Sequence, residues 1–591
     1  MQRMHIWAGA VIGILVLALT GWLLLSPGWA VNLMQDQVQQ QLGRKLEVKG
    51  GAHLGFSPLS IRLDQVSMTA GADQDSAFLS AKSVHVPVGI GQLLTRNADF
   101  SKIRMEGAEL AFLIDERGRT SWSFPEVQTA TGLSMEIENG SLRYFDARNG
   151  QSLMLGGVNA IMTAATDGGL TLKGTAELWG RLARIEASLK SLSRVHADGS
   201  PADLAIETPE GSVTFSGRLA TSKVLSLAGS ATVASPDLRS AARWFGLKID
   251  DGPSFNHFSI DGALDTAGRA IAFRNANLTI DRSVFSGDVA LDLRNAVPKL
   301  QAALAAPTLA IDRFLPPAGA QPGDWGNAYL GFQSLRAFDA EVTVESEALT
   351  FGTSKAMPAR LGASLANGKL TSSIAVLPEA NATLILDSTI DAAAQPPAVS
   401  FNFKSEGIEA GNTLPELLGI GWLSGKGNAS ASLSGAGQTQ QEIIGTLKGS
   451  ASISLADGVF RGVDIKTMMT ALSQRILEGW ASEPASGTAY SSLSARFEIA
   501  DGIAALGSFE FKNPELTVTA SGEVDLLRRA VELRFDPKQF GTDGSVTGFP
   551  VSIIARGPWV APRIYPDVPG LIENPAQGFE TLKSMQLTST N

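Results

Sequence analysis

Five histidines, His5, His53, His85, His196 and His257, are the first residues to test for chemistry. Two imidazoles at i, i+4 on one helical face can share a metal ion, and no His-x-x-x-His or HExxH pair occurs here. Cysteine is absent, which removes thiolate nucleophiles, iron–sulfur clusters, cysteine-ligated zinc and disulfides together. No Gly-x-Ser-x-Gly elbow, phosphate-binding Walker loop or Gly-x-Gly-x-x-Gly before a helix is present. Carboxylates are plentiful, but nothing sets one pair apart as acid and nucleophile. Asp115 and Glu116, ahead of Arg117 and Arg119, read as a solvated hairpin tip leading to Trp122. Trp122, Phe124, Tyr144 and Phe145 read as core packing, and Asp464 as the N-cap of a helix over 464–477. The expectation is a protein without catalysis, cofactor or metal.

The elements that remain must therefore bind or build. At 591 residues the chain is too long for one compact core, so it holds several domains or one repeated element. A net charge of −10 offers no footprint for a phosphate backbone, so nucleic acid is not an expected partner.

Residues 6–25 form an unbroken apolar or small run, long enough at ~1.5 Å per residue to cross a ~30 Å hydrocarbon core. Arg3 precedes the run, and the first charge after it is Asp36. The positive-inside rule puts the amino terminus in the cytoplasm and the body on the far side. A cleaved signal peptide is the rival reading, through the small residues around Trp29, but the run exceeds the usual ~7–15 residues of a signal core. After the anchor, 1–29, the spacing of Leu33, Met34, Val38 and Leu42 predicts a neck helix over 30–43, closed by Gly43.

From Leu46 the periodicity switches to two. Ile61 and Leu63, Met135 and Ile137, Leu142 and Tyr144, Leu516 and Val518, and Val531, Leu533 and Phe535 alternate with polar partners, as half-buried antiparallel strands do. Asn139-Gly140, Asn149-Gly150, Asp167-Gly168, Asp251-Gly252, Asn367-Gly368, Asp457-Gly458 and Asp501-Gly502 mark turns between them. Short helices are predicted at 237–245, 311–315, 414–418 and 464–477. The fold expected is mostly β: a transmembrane helix, then a long antiparallel meander with a few short helices. Boundaries fall near 421 and 568, giving regions 44–420 and 421–568 and a polar tail, 569–591.

The segment LGRKLEVKGGAHLGFSPLSIRLDQVSM, 42–68, resembles the opening of the AsmA family of bacterial envelope proteins. GRTSWSF (118–124), with Ser121 where the family usually has Asn, and IENGSLRYFDARNG (137–150) are similar to two further motifs of that family. LADGVFRGVDI (455–465), SFEFKNPELTVTASGEVDL (508–526) and ARGPWVAPRIYPD (555–567) resemble its carboxy-terminal region. The resemblance implies a Gram-negative, single-pass inner-membrane protein with a periplasmic body, related to bridge-like lipid transfer proteins. It implies strands curled into an elongated apolar groove that binds phospholipid acyl chains and conducts phospholipid toward the outer membrane. An outer-membrane or inner-membrane protein could be a further partner. The candidate lining residues are Ile61, Leu63, Met135, Ile137, Leu142, Leu516, Val518, Leu533 and Phe535. Stacked β-sandwiches with filled cores fit the same alternation. They would make the protein a scaffold for outer-membrane protein assembly or envelope organisation; a glycan-active enzyme is a third, more distant reading.

Overall fold

The computed structural model describes residues 28–568 except 57, 72–73, 96–97, 124–131, 179, 245–254, 315–324, 351–355, 377–382, 419–420, 463, 465–486, 542 and 548–550; beyond 568 it describes 574, 577–578, 580–581 and 584. The expected span at 6–25, Phe124, nearly all of the helix expected over 464–477 and most of the tail lie outside these residues. Among the described residues no helix is long and apolar enough to cross a membrane. The chain divides into two compact units, one of Met1–Phe245 and His257–Leu278, the other of Gly246–Asn256 and Thr279–Asn591.

The first unit opens with α1 (Gly28–Leu42), β1 (Leu46–Val48), β2 (Ala52–Phe56), β3 (Leu59–Gly71), β4 (Gln74–Pro87), α2 (Ile90–Thr95), β5 (Lys102–Glu106) and β6 (Glu109–Ile114). It continues through β7 (Leu133–Asp146), β8 (Gln151–Ala164), β9 (Leu170–Leu178), β10 (Arg181–Leu189), α3 (Arg194–Ala197), β11 (Ser200–Thr208), β12 (Gly211–Ala220), β13 (Ser226–Ser235), α4 (Leu238–Trp244), β14 (Phe258–Ala267) and β15 (Ala270–Ile280). The α1 helix stops where sequence placed its end, with Gly43 in the left-handed region at φ 62°. Ala30 and Met34 of α1 are buried against Leu46, Ile61, Leu63, Val84 and Val86, so the helix closes one end of an apolar cluster that runs on to Ile185.

Most strands pair antiparallel with their sequence neighbours, but β5 and β6 both run parallel to β7. A purely antiparallel meander is therefore corrected here. β7 starts beside β5, with Ser134 opposite Lys102, rather than folding down on β6 as a hairpin. The Asn139-Gly140 turn is corrected too: it lies inside β7 as a bulge, with Asn139 at φ 48°. The β5 pairing ends at Glu106 opposite Glu138 and the β6 pairing begins at Glu109 opposite Ser141, so the bulge sits where β7 changes partner. Asp457-Gly458 in the second unit is likewise a mid-strand irregularity, with Asp457 at φ 50°.

Three of the sequence motifs meet in this unit. Arg44, buried, donates from Nη2 to the carbonyl oxygens of Ser121 and Ser123. Ser121 is wholly buried; its hydroxyl donates to Ala111 O at 2.6 Å and accepts from Leu113 N at 2.8 Å. Trp122 packs on Phe112, which stands opposite Tyr144 in the β6–β7 register. Phe145, expected in the core, instead faces the other side of β7 and is exposed, because its neighbours Tyr144 and Asp146 take the inward positions.

The unit 1 sheet is curled. Arg148, in the turn between β7 and β8, donates to Ser222 O at 2.8 Å, in the turn between β12 and β13. Those turns lie at opposite strand ends, four to five strands apart. In a flat sheet, strands spaced ~4.8 Å apart and ~30 Å long would separate them by roughly 35 Å, beyond the reach of an arginine.

The second unit contains β16 (Ser283–Asp292), β17 (Lys299–Ala310), the 3-10 turns Ile311–Phe314 and Phe332–Arg336, β18 (Asp339–Thr350), β19 (Met357–Ala366), β20 (Lys369–Val376), β21 (Thr383–Asp391) and β22 (Ala398–Glu409). Then come α5 (Ala410–Leu418), β23 (Lys426–Ala436), α6 (Gln440–Gly445), β24 (Lys448–Arg461), β25 (Gly487–Ala500), β26 (Ile503–Lys512), β27 (Leu516–Asp525), β28 (Ala530–Phe540), β29 (Val546–Thr547), β30 (Ile553–Pro558) and β31 (Arg563–Pro566). From β18 to β28 each strand pairs antiparallel with the next, while β17 and β18 are parallel.

That parallel pair forces a long return connection, and the connection shows that this sheet also curls. Phe314 follows the far end of β17, whereas the Trp325 indole donates to Leu526 O at 2.8 Å, at the end of β27. The eleven residues from Phe314 to Trp325 reach at most ~40 Å. A flat sheet would put those corners roughly 60 Å apart at ~4.8 Å per strand and ~3.3 Å per residue. From Trp325 the chain runs along the turns, with Gly326 N on Gln440 Oε1 at 3.0 Å and Leu330 N on Gln438 O at 2.9 Å. Arg529 lies over the Trp325 ring at 4.1 Å and within 5.6 Å of Trp559.

Candidate functional site

The strands of the second unit present two chemically different faces, because successive side chains point to opposite sides of a sheet. One face carries a continuous cross-strand row: Leu304, Val344, Leu361, Ile374, Leu386, Phe403, Ala431, Ala451, Phe497 and Leu506 stand opposite one another in turn from β17 to β26. All ten are half-buried. At ~4.8 Å per strand the row extends for roughly 43 Å along the sheet. The opposite face answers with Glu345, Arg360, Ile385, Lys404, Ser430, Ser452, Arg496 and Ser508 in the same register. Its charges are held by exposed pairs such as Arg360–Glu345 at 3.3 Å and Lys404–Glu406 at 2.8 Å.

The row is closed off at both sides by the protein's own core. Ala410 and Leu414 of α5 pack with Leu455, Tyr490, Leu493, Phe511, Leu516 and Val518. Leu447, after α6, packs with Ile499 and Ala504, and Ile444 joins them. Burial pushes the Tyr490 phenol up to about 12; its hydroxyl donates to Ser424 O.

The nine lining candidates from sequence all fall on the inward faces of their strands, but their environments differ. Ile61 and Leu63 are 0 % exposed, and Met135, Ile137, Leu516 and Val518 are also below a tenth exposed. These six sit in packed clusters with α1, α5 and neighbouring aromatic rings. Leu142, Leu533 and Phe535 are half-buried. The half-buried apolar row lies elsewhere, from Leu304 of β17 to Leu506 of β26, and contains none of the nine. The signal was present: Val342 and Val344, Leu384 and Leu386, and Phe401 and Phe403 alternate as clearly as the residues chosen.

The histidines are dispersed. His53 lies 3.5 Å from Asp64, His85 bonds Ser83 at 3.1 Å, and His196 bonds Thr221 at 3.3 Å. Among the described residues no group of three or more histidine or carboxylate side chains could hold a metal ion. Asp146 is wholly buried, yet its oxygens accept from Arg148 Nε and Nη2 at 2.9 and 2.8 Å and from Asn149 Nδ2 at 3.0 Å. Burial raises its pKa, but the Arg148 hydrogen bonds outweigh this and hold the carboxyl below its ordinary value. It is a structural anion. Asp115, at the expected hairpin tip, is held low by Arg119, whose Nε donates at 2.7 Å.

What this arrangement offers is a half-buried apolar face ten strands wide on one side of the sheet and a charged face on the other. The comparisons point to a family. No curated protein and no solved structure matches the chain. A family model does, that of the AsmA family, over residues 1–131 and 380–508. The first stretch holds α1, the Arg44–Ser121 contact and Trp122; the second runs from β21 through the α5 core to β26. On these two stretches the chain belongs to the AsmA family.

Proposed function

We propose that this protein is anchored in the inner membrane by residues 6–25 and holds phospholipids in an elongated apolar groove in the periplasm, conducting them toward the outer membrane. The observation that carries the reading is the ten-residue row from Leu304 to Leu506, half-buried along its whole length. Acyl chains laid on it would remove the remaining apolar surface from water at about 0.8 kcal/mol per buried CH₂. Headgroups would stay in water at the open seam. AsmA family membership supports an envelope role. The scaffold of β-sandwiches needs this face to be covered by a second sheet, and half-burial of all ten residues speaks against that.

The test is native mass spectrometry of the full chain, extracted in mild detergent and then freed of it, with lipid extraction and quantification. Several phospholipids per chain are expected. A stable, monodisperse and lipid-free protein overturns the reading in favour of the scaffold.

A further inference from the structure

The apolar face of the second unit is interrupted by hydroxyls. Ser372 of β20 and Ser388 of β21 stand opposite each other on that face, half-buried, with their Oγ atoms 2.6 Å apart. Leu370 and Ile390 flank the pair on one side along the strands, and Ile374 and Leu386 on the other. Ala363 and Phe401 flank it across the sheet. Two hydroxyls bonded to each other use one proton between them, and the second proton is left to turn toward whatever lies on the face. Two further serines share the face one row on. Ser346 of β18 and Ser405 of β22 are 5 % and 1 % exposed, and neither Oγ has a hydrogen-bond partner. A buried hydroxyl left unpaired costs roughly 1–3 kcal/mol, so Ser346 and Ser405 call for a partner that the protein does not supply, while the half-buried Ser372–Ser388 pair keeps one proton to offer.

We propose that the Ser372–Ser388 pair is a docking point for the ester carbonyl of a diacyl lipid, with the groove selecting lipids that carry an acceptor at the junction of chain and headgroup over those that carry none. A carbonyl oxygen takes the spare proton while its two chains lie on Ile374, Leu386 and Phe401. The headgroup plays no part, so selection is by linkage. This inference rests on the lipid-groove reading above.

The experiment compares two lipids of identical headgroup and chains, dioleoyl phosphatidylglycerol and its diether analogue, which lacks the carbonyls. Full-length protein in detergent is given both at equal concentration and the bound ratio is read by native mass spectrometry. Wild type should favour the ester two- to tenfold, the range of about one neutral hydrogen bond. The S372A/S388A double variant should bind the two equally, its ester binding falling to the level of the diether, and S372T/S388T, which keeps both hydroxyls, should retain the preference. Equal binding by wild type, or a preference that survives S372A/S388A, overturns the inference; the wild-type ratio decides even where a variant fails to fold. Binding of neither lipid would instead overturn the groove itself.

Discussion

Arg148 donates to the carbonyl oxygen of Thr221 at 2.9 Å while the same guanidinium grips the buried carboxylate of Asp146. One side chain thus holds the β7–β8 turn to the β12–β13 turn and sets the curl of the first unit. Arg148→Ala leaves a buried carboxylate without its cation, a change that costs about 3–5 kcal/mol. Hydrogen exchange should show faster exchange concentrated in residues 146–151 and 221–225. Uniform protection across both turns would contradict this.

The same pair predicts a pH dependence. The Asp146 pKa is depressed in the fold, so the stability it contributes is complete above the unfolded value near 3.8 and is lost as pH falls through the lower folded value. Thermal melts between pH 5 and 2 should fall more steeply for wild type than for Asp146→Asn, which has no proton to gain. Parallel curves would remove the pair from the account.

Two glycines in the second unit should respond oppositely to alanine. Gly449 of β24 has φ 139°, and a Cβ there would collide with Ser432 O of the neighbouring strand. Gly362 of β19 has nothing within 4 Å of the corresponding position. Gly449→Ala should therefore destabilise by 2 kcal/mol or more, as strain and a displaced strand add, by the usual scale of about 1–3 kcal/mol for such backbone conformations. Gly362→Ala should be neutral or stabilising by about 0.5–1 kcal/mol. Denaturant midpoints check both.

Adjacent residues on opposite faces give the sharpest test of the groove. Leu386 is half-buried on the apolar side of β21 and Ile385 is 37 % exposed on the polar side. Leu386→Asp should lower bound phospholipid several-fold, and Ile385→Asp should leave it unchanged. The reading fails if both variants lose lipid equally, or neither does.

The latch over the Trp325 ring can be loosened separately. A partly desolvated cation–π contact is worth about 1–2 kcal/mol, so Arg529→Ala should speed proteolysis between Trp325 and Asp339 without changing the far-ultraviolet spectrum.

Much of this was legible in the sequence, for reasons specific to each element. Ile61, Leu63, Leu516 and Val518, chosen for their alternation, lie buried in their strands, because period two is a property of the strand itself. It could not separate filled core from open face, since that depends on whether α1 or α5 covers the strand. Gly43 announced the end of α1, whereas Asn139-Gly140 and Asp457-Gly458 carry turn chemistry and lie within strands, the first as a bulge. Only the partner strands decide between those outcomes. The parallel β5–β7, β6–β7 and β17–β18 pairs were hidden because chain direction leaves no mark on local periodicity. Arg148 was passed over for the same reason: its meaning lies 73 residues away, at Thr221.

From β18 to β27, among the described residues, each strand pairs only with the strands before and after it in the chain. Length in such a sheet is an adjustable quantity, much as in a solenoid. Removing the hairpin β20–β21 would bring β19 and β22 together still antiparallel and shorten the apolar row by about 9.6 Å, two strand spacings. Duplicating it would add as much. A lineage could thus lengthen or shorten the apolar row by gaining or losing hairpins, leaving the terminal cores untouched.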